Sequence, residues 1–408
     1  MSPASTTRAD ATTEVGELAR RGDVMGLVAI IRACAKTNRR IFAEPEVKAW
    51  CARRWRHLFL REAVEDPVAL EFASRRLDRR SPRQRIAECF LAEGAHAAWQ
   101  DEQPDPVERR LTATTLVVCP GFLNGYLPAR EFLNDLPQIE WRYGIRMLRS
   151  ASHPVRGCEA NVADILSAIE QGKGTDAHAA PIASADERPP GDVMALGYSK
   201  GAPDLLTALA LHPHLKQRVK CVVTWAGAIG GSPVADDLAA KFRATGFEND
   251  TTAIGVWLKK FAYGRMSVET FSRRRIEEFD AVSAVRDLTT SVRQAFLVAH
   301  ASAIDNLDIP IFTFRGVTHL NKVPLSQRGG FRKLAKFESQ NDMQVAASGS
   351  QLLIPMATEL AVLRGHHWDI AHPPFRRRRW LNNCHHPFPK TAAIAAIVQL
   401  AAELGLIE

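Results

Sequence analysis

Ser199 lies in the sequence Gly-Tyr-Ser-Lys-Gly at residues 197–201, which matches the pattern Gly-x-Ser-x-Gly. This pattern holds a serine on a strained turn between a strand and a helix, where side chains at the glycine positions would collide with neighbours. The setting agrees, because a short apolar run at 193–196 precedes the motif and a helical stretch follows it. The pattern predicts that Ser199 is a covalent nucleophile, which needs a neighbouring base and an acid that orients the base.

Two adjacent histidines, His366 and His367, follow the last strand-like run of the chain. A base at this point agrees with the chain order serine, acid, histidine that accompanies such a serine turn. Two neighbouring residues cannot both face one serine without unusual backbone geometry. We expect His367 to be the base and keep His366 as the alternative. The other histidines considered have weaker local patterns: His300, His319, His372, His385 and His386.

The acid should lie between the strand-like run at 309–314 and His367, where the candidates are Glu338, Asp342 and Glu359. Asp342 stands in a loop-like sequence, far enough before the histidine to leave room for a helix and a strand. Glu359 falls inside the predicted last strand, and Glu338 is the nearer rival. We expect Asp342 to accept a hydrogen bond from the imidazole and to stabilise the imidazolium without taking the proton.

A tetrahedral intermediate needs N–H donors directed at its oxyanion. One expected donor is the backbone N–H of Lys200, the residue after the serine. The other should come from the turn Pro-Gly-Phe-Leu-Asn-Gly at 120–125, which follows an earlier strand-like run. The glycine allows this backbone to turn inward, and we expect the N–H of Phe122 to be the donor, with that of Leu123 as the alternative.

Strand-like and helical runs alternate from Leu111 onwards, which predicts a mainly parallel sheet with helices on both faces. The predicted strands are 111–119, 145–149, 193–196, 220–225, 309–314 and 358–363, and the predicted helices are 129–140, 161–171, 202–212 and 391–404. Such a sheet brings the segments that follow its strands to one edge. A loop just beyond the carboxyl end of the last strand is where such a fold holds its base.

Three further segments have a different character. Residues 1–12 are predicted to be a disordered tail, and residues 13–105 a helical N-terminal extension with apolar positions at spacings of three and four. Within the remaining domain, 106–408, the amphipathic stretch 233–305 interrupts the alternation and carries Trp257, Leu258, Phe261 and Phe271. We interpret it as a helical lid that excludes water and shapes an acyl pocket; a rigid cap or an interaction surface is the alternative.

These residues resemble the α/β-hydrolase superfamily on its esterase and lipase side, over about residues 111–408. The resemblance rests on the turn at 119–122, the serine motif, the run 222–228 and the Asp342 and His367 segments. It implies an α/β fold with a mainly parallel sheet, and acyl-enzyme chemistry on Ser199, Asp342 and His367. Many relatives have His-Gly where this chain has Pro120-Gly121, so the resemblance supports the Phe122 donor less directly.

Composition sets the remaining limits. Apolar residues make up 46% of the 408 residues and charged residues 24%, as in globular proteins. No apolar run is long enough to span a membrane, and the first residues lack a secretory signal. The seven cysteines form no C-x-x-C pair, which predicts free thiols in the cytoplasm. The net charge of +8 comes without a nucleic-acid motif, so a solvated arginine-rich surface explains it.

The sequence thus predicts a serine hydrolase that cleaves a carboxylic ester or thioester of a small or lipid-like molecule, without a cofactor or metal. The Cys384, His385 and His386 cluster lacks the second ligand pair of a metal site. An acyltransferase would share the same residues, nothing favours a peptidase, and a non-catalytic binding module remains an alternative. The apolar stripe of the N-terminal helices must be buried against the hydrolase domain or a second copy of the chain, which would give a homo-oligomer.

Overall fold

Six parallel strands form one sheet in the computed structural model, which describes residues 8–74, 79–124, 130–244, 275, 278–373 and 386–408. The strand order is β2-β1-β3-β4-β5-β6, and every neighbouring pair is parallel. The strands are β1 Thr114–Cys119, β2 Arg146–Arg149, β3 Asp192–Tyr198, β4 Val219–Trp225, β5 Ile311–Val317 and β6 Ala357–Arg364. Each predicted strand is present with ends shifted by a few residues, and the predicted fold class is confirmed.

Helices connect the strands and also precede them. The α-helices before the sheet are α1 Arg8–Arg21, α2 Val24–Thr37, α3 Pro45–Ala63, α4 Pro67–Ala73 and α5 Pro82–Phe90. Those that follow are α6 Leu136–Tyr143, α7 Val162–Leu166, α8 Gly201–Leu211, α9 Pro233–Ala244, α10 Ala281–Arg286, α11 Thr290–Asp305, α12 Arg328–Phe337 and α13 Lys390–Glu403. A π-helical turn, Ser167–Gln171, extends α7.

Two helix boundaries differ from the sequence prediction. Helix α1 begins at Arg8, whereas the sequence places the start of the helical extension at residue 13. Residues 1–7 lie outside the described residues, and the disordered tail stays a prediction. Helix α6 begins at Leu136 rather than near residue 129. Pro137 stands in its first turn and cannot donate the hydrogen bond that would continue a helix through the preceding residues. Phe132 has a φ of 50°, which also excludes a helix there.

Helices cover both faces of the sheet. One face packs against α1 to α6 and α13 in a large apolar cluster, and the other packs against α7, α8 and α11. The alternation of side chains along each strand produces this division, since neighbouring residues such as Leu116 and Val117 of β1 enter opposite clusters. The sheet is therefore buried on both sides, as expected of a parallel sheet.

The helices before residue 105 pack directly on the sheet. The ring of Trp55 in α3 lies 4.7 Å from that of Phe314 in β5, and Arg54 forms a buried ion pair with Glu403 of α13 at 2.5 Å. The amide of Ala92 donates a 2.9 Å hydrogen bond to a carbonyl of β6, the last strand of the sheet. This contact covers an edge that would otherwise present unpaired backbone groups. The division of the chain at about residue 105 stays a prediction.

The segment 233–305 contributes α9, α10 and α11 to the described residues. Residues 245–274 and 276–277 lie outside them, including Trp257, Leu258, Phe261 and Phe271. The interpretation of this segment as a lid therefore also stays a prediction. Among the described residues, no helix has both the length and the apolar content needed to cross a membrane.

Candidate active site

Ser199 occupies the turn between β3 and α8 in a left-handed conformation, with a φ of 51°. Few residues other than glycine adopt this region, so the turn is strained. The backbone around it holds the serine in place. Its N–H donates to the carbonyl of Trp225 at 3.0 Å, and its own carbonyl accepts from the amides of Ala202 and Ala228, both at 3.2 Å. The structure thus places Ser199 on the turn that the sequence predicts.

The two glycines of the motif are required by close backbone contacts. A Cβ atom at residue 201 would lie 2.0 Å from the carbonyl oxygen of Cys119, and one at residue 197 would lie 2.6 Å from the Cα of Ala202. Both distances are shorter than atomic contact allows. Gly201 therefore lets α8 begin directly against the end of β1, and Gly197 lets β3 pass close to the same helix.

Ser199, His367 and Asp342 form one continuous chain of hydrogen bonds. The Oγ of Ser199 lies 2.8 Å from Nε2 of His367, and Nδ1 of the same ring lies 2.6 Å from Oδ2 of Asp342. All three residues are buried, with Ser199 at 8% exposure the most accessible. The arrangement has the geometry that allows an imidazole to remove the proton of a serine hydroxyl while a carboxylate orients it.

A tight turn holds Asp342 in its orientation. Its Oδ1 accepts hydrogen bonds from the amides of Gln344 and Val345, at 2.9 and 2.7 Å, which leaves Oδ2 directed at the histidine. The amide of His367 donates to the carbonyl of Asp342 at 2.9 Å, so the backbones of the two residues are joined as well. These bonds fix the distance between the loop that joins α12 to β6 and the loop after β6.

The other candidate acids are engaged elsewhere. Glu338 accepts hydrogen bonds from the backbone and hydroxyl of Ser348, and Glu359 pairs with Arg315 on the neighbouring strand β5. Neither carboxylate contacts His367 among the described residues. Asp342 is therefore the acid that the structure brings to the imidazole.

His366 is directed toward Asp369 rather than toward Ser199. Its Nε2 lies 3.1 Å from Oδ2 of Asp369, and the amide of Asp369 donates to its Nδ1 at 3.1 Å. Burial raises the pKa of Asp369 well above its usual range. The adjacent histidines thus have separate partners, and His367 is the one beside the serine.

The turn that carries Phe122 packs against the serine turn. A Cβ on Gly121 would lie 3.2 Å from that of Ser199, so the two backbones are in close contact. Leu123 donates its amide to the carbonyl of Pro154 at 3.4 Å. The amides of Phe122 and Lys200 have no acceptor within the described part of the chain. They are therefore available to a substrate oxygen, whereas that of the alternative, Leu123, is engaged.

The side chain of Lys200 forms a buried network that the sequence reasoning missed. Its Nζ donates to both carboxylate oxygens of Asp204 at 2.6 and 2.8 Å, and the Nδ2 of Asn161 donates to the same carboxylate at 2.8 Å. Burial raises the pKa of Asp204, and the lysine charge and these hydrogen bonds oppose that effect. The spacing of four residues between Lys200 and Asp204 at a helix start was the available signal.

The thiols of Cys34, Cys51, Cys119, Cys158 and Cys221 are free. Across the described ranges, no three His, Cys, Asp or Glu side chains form a group that could hold a metal ion. Cys384 and His385 of the cluster considered above lie outside those ranges.

Comparison with known proteins gives similarity in structure only. No family model and no curated protein matches the sequence. A metagenomic carboxyl esterase superimposes with a TM-score of 0.59 and 21% identity, over 86% of this chain and 91% of that one. The mature Bacillus licheniformis lipase gives 0.40 and 20% identity, over 65% of this chain and 89% of its own. Lipase 1 from Pelosinus fermentans gives 0.43 and 12% identity, over 71% and 99%.

At these sequence identities the similarity shows the fold alone. The evidence for the fold comes from the carboxyl esterase, whose TM-score is the highest of the three. It agrees with the parallel sheet already described. The chain therefore has the α/β-hydrolase fold.

Proposed function

We propose that this protein is a serine hydrolase that cleaves a carboxylic ester or thioester through an acyl-enzyme intermediate. One observation carries the proposal, the unbroken chain of hydrogen bonds from the Oγ of Ser199 through His367 to Asp342. Its ends lie 168 and 25 positions from the histidine in the sequence. Convergence of these three residue types on a strained serine turn is the arrangement that activates a hydroxyl for attack on a carbonyl.

In the first step, the Oγ of Ser199 attacks the carbonyl carbon of the ester, and Nε2 of His367 takes the hydroxyl proton. The Nδ1–H of the ring donates to Asp342, which stabilises the imidazolium and keeps the ring in this orientation. The carbonyl oxygen gains a negative charge in the tetrahedral intermediate. The free amides of Phe122 and Lys200 donate hydrogen bonds to it, and such donors contribute a few kcal/mol each.

Collapse of the intermediate breaks the bond to the alcohol or thiol. His367 returns its proton to this leaving group, and the acyl group remains on the Oγ of Ser199 as an ester. Water then attacks the acyl carbon while the same imidazole removes a proton from it. The second tetrahedral intermediate releases the carboxylic acid and restores the serine hydroxyl.

The contacts of α9, at the start of the segment 233–305, support a role of this segment in shaping the acyl pocket. Leu238 and Phe242 of α9 belong to an apolar cluster. The same cluster contains Phe122, from the turn with the proposed oxyanion donor, and Val345, from the turn that holds Asp342. An apolar wall at this place favours an acyl group of a small or lipid-like ester and excludes water from the intermediate. We include in the proposal that this segment closes over the bound substrate.

The free thiols support a location in a reducing compartment. Secreted proteins meet oxidising conditions, under which cysteines commonly form disulfides. We therefore place the activity in the cytoplasm. Immunodetection of the tagged chain in cell fractions, with compartment markers alongside, tests this part separately from the chemistry.

Labelling with a fluorophosphonate tests the mechanism, because the probe reacts with an activated serine hydroxyl. The wild-type chain should label once, at the peptide that contains Ser199, and should hydrolyse a p-nitrophenyl ester. Ser199→Ala should lose both, with turnover lower by several orders of magnitude. Ser302→Ala, at an exposed serine of α11, serves as the matched control and should retain both.

A folded wild-type chain that neither labels nor hydrolyses esters would contradict the proposal and favour a non-catalytic binding module. Product analysis with and without an added alcohol separates hydrolysis from acyl transfer. A new ester that forms in preference to the free acid would identify an acyltransferase on the same residues.

A further inference from the structure

A cavity of about 440 Å³ lies between the helices that precede the sheet and the loops that follow β5 and β6. Phe72 of α4 and Arg85 of α5 line it from the helices, and Thr318, Lys322 and Gly365 line it from the loops. We call it the basic cavity. None of these five residues takes part in the proposed mechanism, and a cavity of this volume accommodates a small organic molecule.

The described lining of the basic cavity holds more cationic than anionic side chains. The cations are Arg80, Arg85, Lys322 and Arg364, and the carboxylates are Glu88 and Asp369. With both carboxylates ionised, the lining still has an excess of two positive charges. Burial lowers the pKa of His386, which also lines the cavity, to about 3, so its ring is neutral at pH 7.

Asp369 does not bring further negative charge to the basic cavity. Its Oδ2 lies 3.1 Å from Nε2 of His366. Burial raises the pKa of Asp369 well above its usual range, and the charges of Lys390 and Lys322 oppose that effect. The charged side chains that act on this carboxylate are therefore both lysines, and a protonated Asp369 would only enlarge the positive excess.

Two of the four cations are engaged by α5. Arg80 forms an ion pair with Glu88, and Nη1 of Arg364 donates to the carbonyl of Glu88 at 2.9 Å. The guanidinium of Arg85 and the ammonium of Lys322 have no hydrogen-bond or ion-pair partner in the described part of the chain. Arg85 is half-buried and Lys322 is exposed. These two cations in one lining favour an anion between them.

A phosphate group matches this pair of cations better than a carboxylate does. A phosphate monoester carries between one and a half and two negative charges at neutral pH and has three acceptor oxygens. The guanidinium fork of Arg85 suits two of these oxygens, and Lys322 adds a compact charge. A carboxylate, with one negative charge, would leave about one of the two cations without a counter-charge.

The same lining offers a surface for the organic part of such a ligand. The side chain of Phe72 is 43% exposed, which is unusual for a ring of this size. Its ring contacts that of the neutral His386 edge to face, with centroids 5.2 Å apart. The exposed part of Phe72 can therefore contact an apolar or aromatic group attached to the phosphate.

We propose that the basic cavity binds a small phosphorylated molecule, with Arg85 and Lys322 as the partners of its phosphate and Phe72 against its organic part. The phosphate bridges α5 and the loop after β5. The bound molecule thus joins the helices before the sheet to the loops at the carboxyl ends of its strands. This inference does not depend on the proposed function of Ser199.

Isothermal titration calorimetry of the full chain at constant ionic strength tests the proposal with three probes: phenyl phosphate, inorganic phosphate and benzoate. Phenyl phosphate should bind. Benzoate, which has the same ring and one charge, should bind at least about tenfold more weakly, because fewer charge-assisted hydrogen bonds form. Inorganic phosphate should also bind more weakly than phenyl phosphate, because it lacks the contact with Phe72.

Arg85→Met and Lys322→Met should each raise the Kd of phenyl phosphate by about tenfold to a hundredfold, the range for loss of a charge-assisted hydrogen bond. Arg188→Met is the matched control and should leave Kd unchanged. It replaces an exposed arginine of the loop before β3, at the amino ends of the strands.

Thermal unfolding separates loss of binding from loss of folding. Without a ligand, Arg85→Met and Lys322→Met should keep the wild-type Tm, because neither side chain forms an internal ion pair among the described residues. Phenyl phosphate should raise the Tm of the wild-type chain and of Arg188→Met. It should not raise that of the double variant Arg85→Met, Lys322→Met.

The phosphate site would be overturned if phenyl phosphate did not bind the wild-type chain, or if all three single variants had the same Kd. Benzoate that binds as tightly as phenyl phosphate would overturn the preference for a phosphate. Equal binding of inorganic and phenyl phosphate would support the phosphate site as one for the free ion and overturn the contact with Phe72. Fluorophosphonate labelling of Ser199 tests the proposed function separately.

Discussion

The hydroxyl of Tyr198 donates a hydrogen bond of 2.9 Å to the backbone carbonyl of His367. The two rings are also stacked, with centroids 5.1 Å apart. Tyr198 is the last residue of β3 and His367 follows β6, so this contact spans the two strands that lie between them in the sheet. It joins the residue before the candidate nucleophile to the candidate base and limits the movement of the imidazole.

Tyr198→Phe removes this hydrogen bond and keeps the stacked ring. We expect kcat on a p-nitrophenyl ester to fall about fivefold to tenfold, the effect of losing one neutral hydrogen bond, while KM changes little. Steady-state kinetics of the folded variant measure both constants. A higher KM with unchanged kcat would show that the hydroxyl contacts substrate instead of positioning the histidine.

The two adjacent histidines should respond differently to substitution. His367→Ala removes the base that contacts Ser199 and should abolish nearly all ester turnover. His366→Ala should keep a measurable fraction, because its imidazole contacts Asp369 and not the serine. Turnover of the two purified variants, compared at equal folded concentration, makes the test. The reverse ranking would assign the role of base to His366.

Asp342→Asn should lower turnover by roughly 10⁴, by analogy with loss of the orienting carboxylate in other serine triads. The amide can still accept the two backbone hydrogen bonds, so the turn should persist while the imidazole loses its carboxylate. Glu338→Gln is the matched comparison, since that side chain contacts Ser348 instead. If Glu338→Gln proves the crippling change, the assignment of the acid moves to Glu338.

The buried ion pair of Lys200 and Asp204 should contribute to stability through mutual neutralisation. Lys200→Met leaves a carboxylate buried without its counter-charge and should lower the free energy of unfolding by about 3–5 kcal/mol. The double variant Lys200→Met, Asp204→Leu should recover much of that loss, because no unpaired charge remains. Urea denaturation of the single and double variants measures the coupling. Strictly additive losses would indicate that the pair acts only through packing.

Removal of residues 1–105 should lower solubility or stability, because it uncovers the sheet face on which Trp55 and Phe59 pack. The folded fraction that remains should still react with a fluorophosphonate at Ser199, since the residues of the candidate site all follow residue 119. Thermal unfolding and labelling of the truncated chain check the two statements. A well-folded truncation that fails to label would show that the N-terminal helices help to build the active site.

The serine turn was predictable because its requirements are local. The strand, the strained serine and the two glycines stand within a few consecutive residues, and the close contacts of Gly197 and Gly201 explain why no side chain is present there. The strands were predictable for a similar reason, since a sheet buried on both faces needs nearly continuous apolar runs. For the acid and the base, the sequence predicted only that they follow the serine in the order acid, then histidine.

The helix start near residue 129 was predicted wrongly from an equally local pattern, since α6 begins at Leu136. The apolar positions of 130–135 are not on a helix face, because Phe132 adopts a left-handed conformation and its ring contacts that of Trp225. A tertiary contact of this kind overrides helix propensity, whose contribution per residue is well below that of burying an aromatic ring.

Sequence alone determined the nucleophile candidate, the alternation of strands and helices, and short sets of candidates for the acid and the base. Only the tertiary structure decided that His367 rather than His366 lies beside Ser199, and that Asp342 rather than Glu338 meets its ring. The reason is that two neighbouring loop residues share the same surrounding sequence pattern, while their side chains point in different directions. Their directions are fixed by backbone hydrogen bonds such as those at Asp342, and by the spacing of strands distant in the sequence.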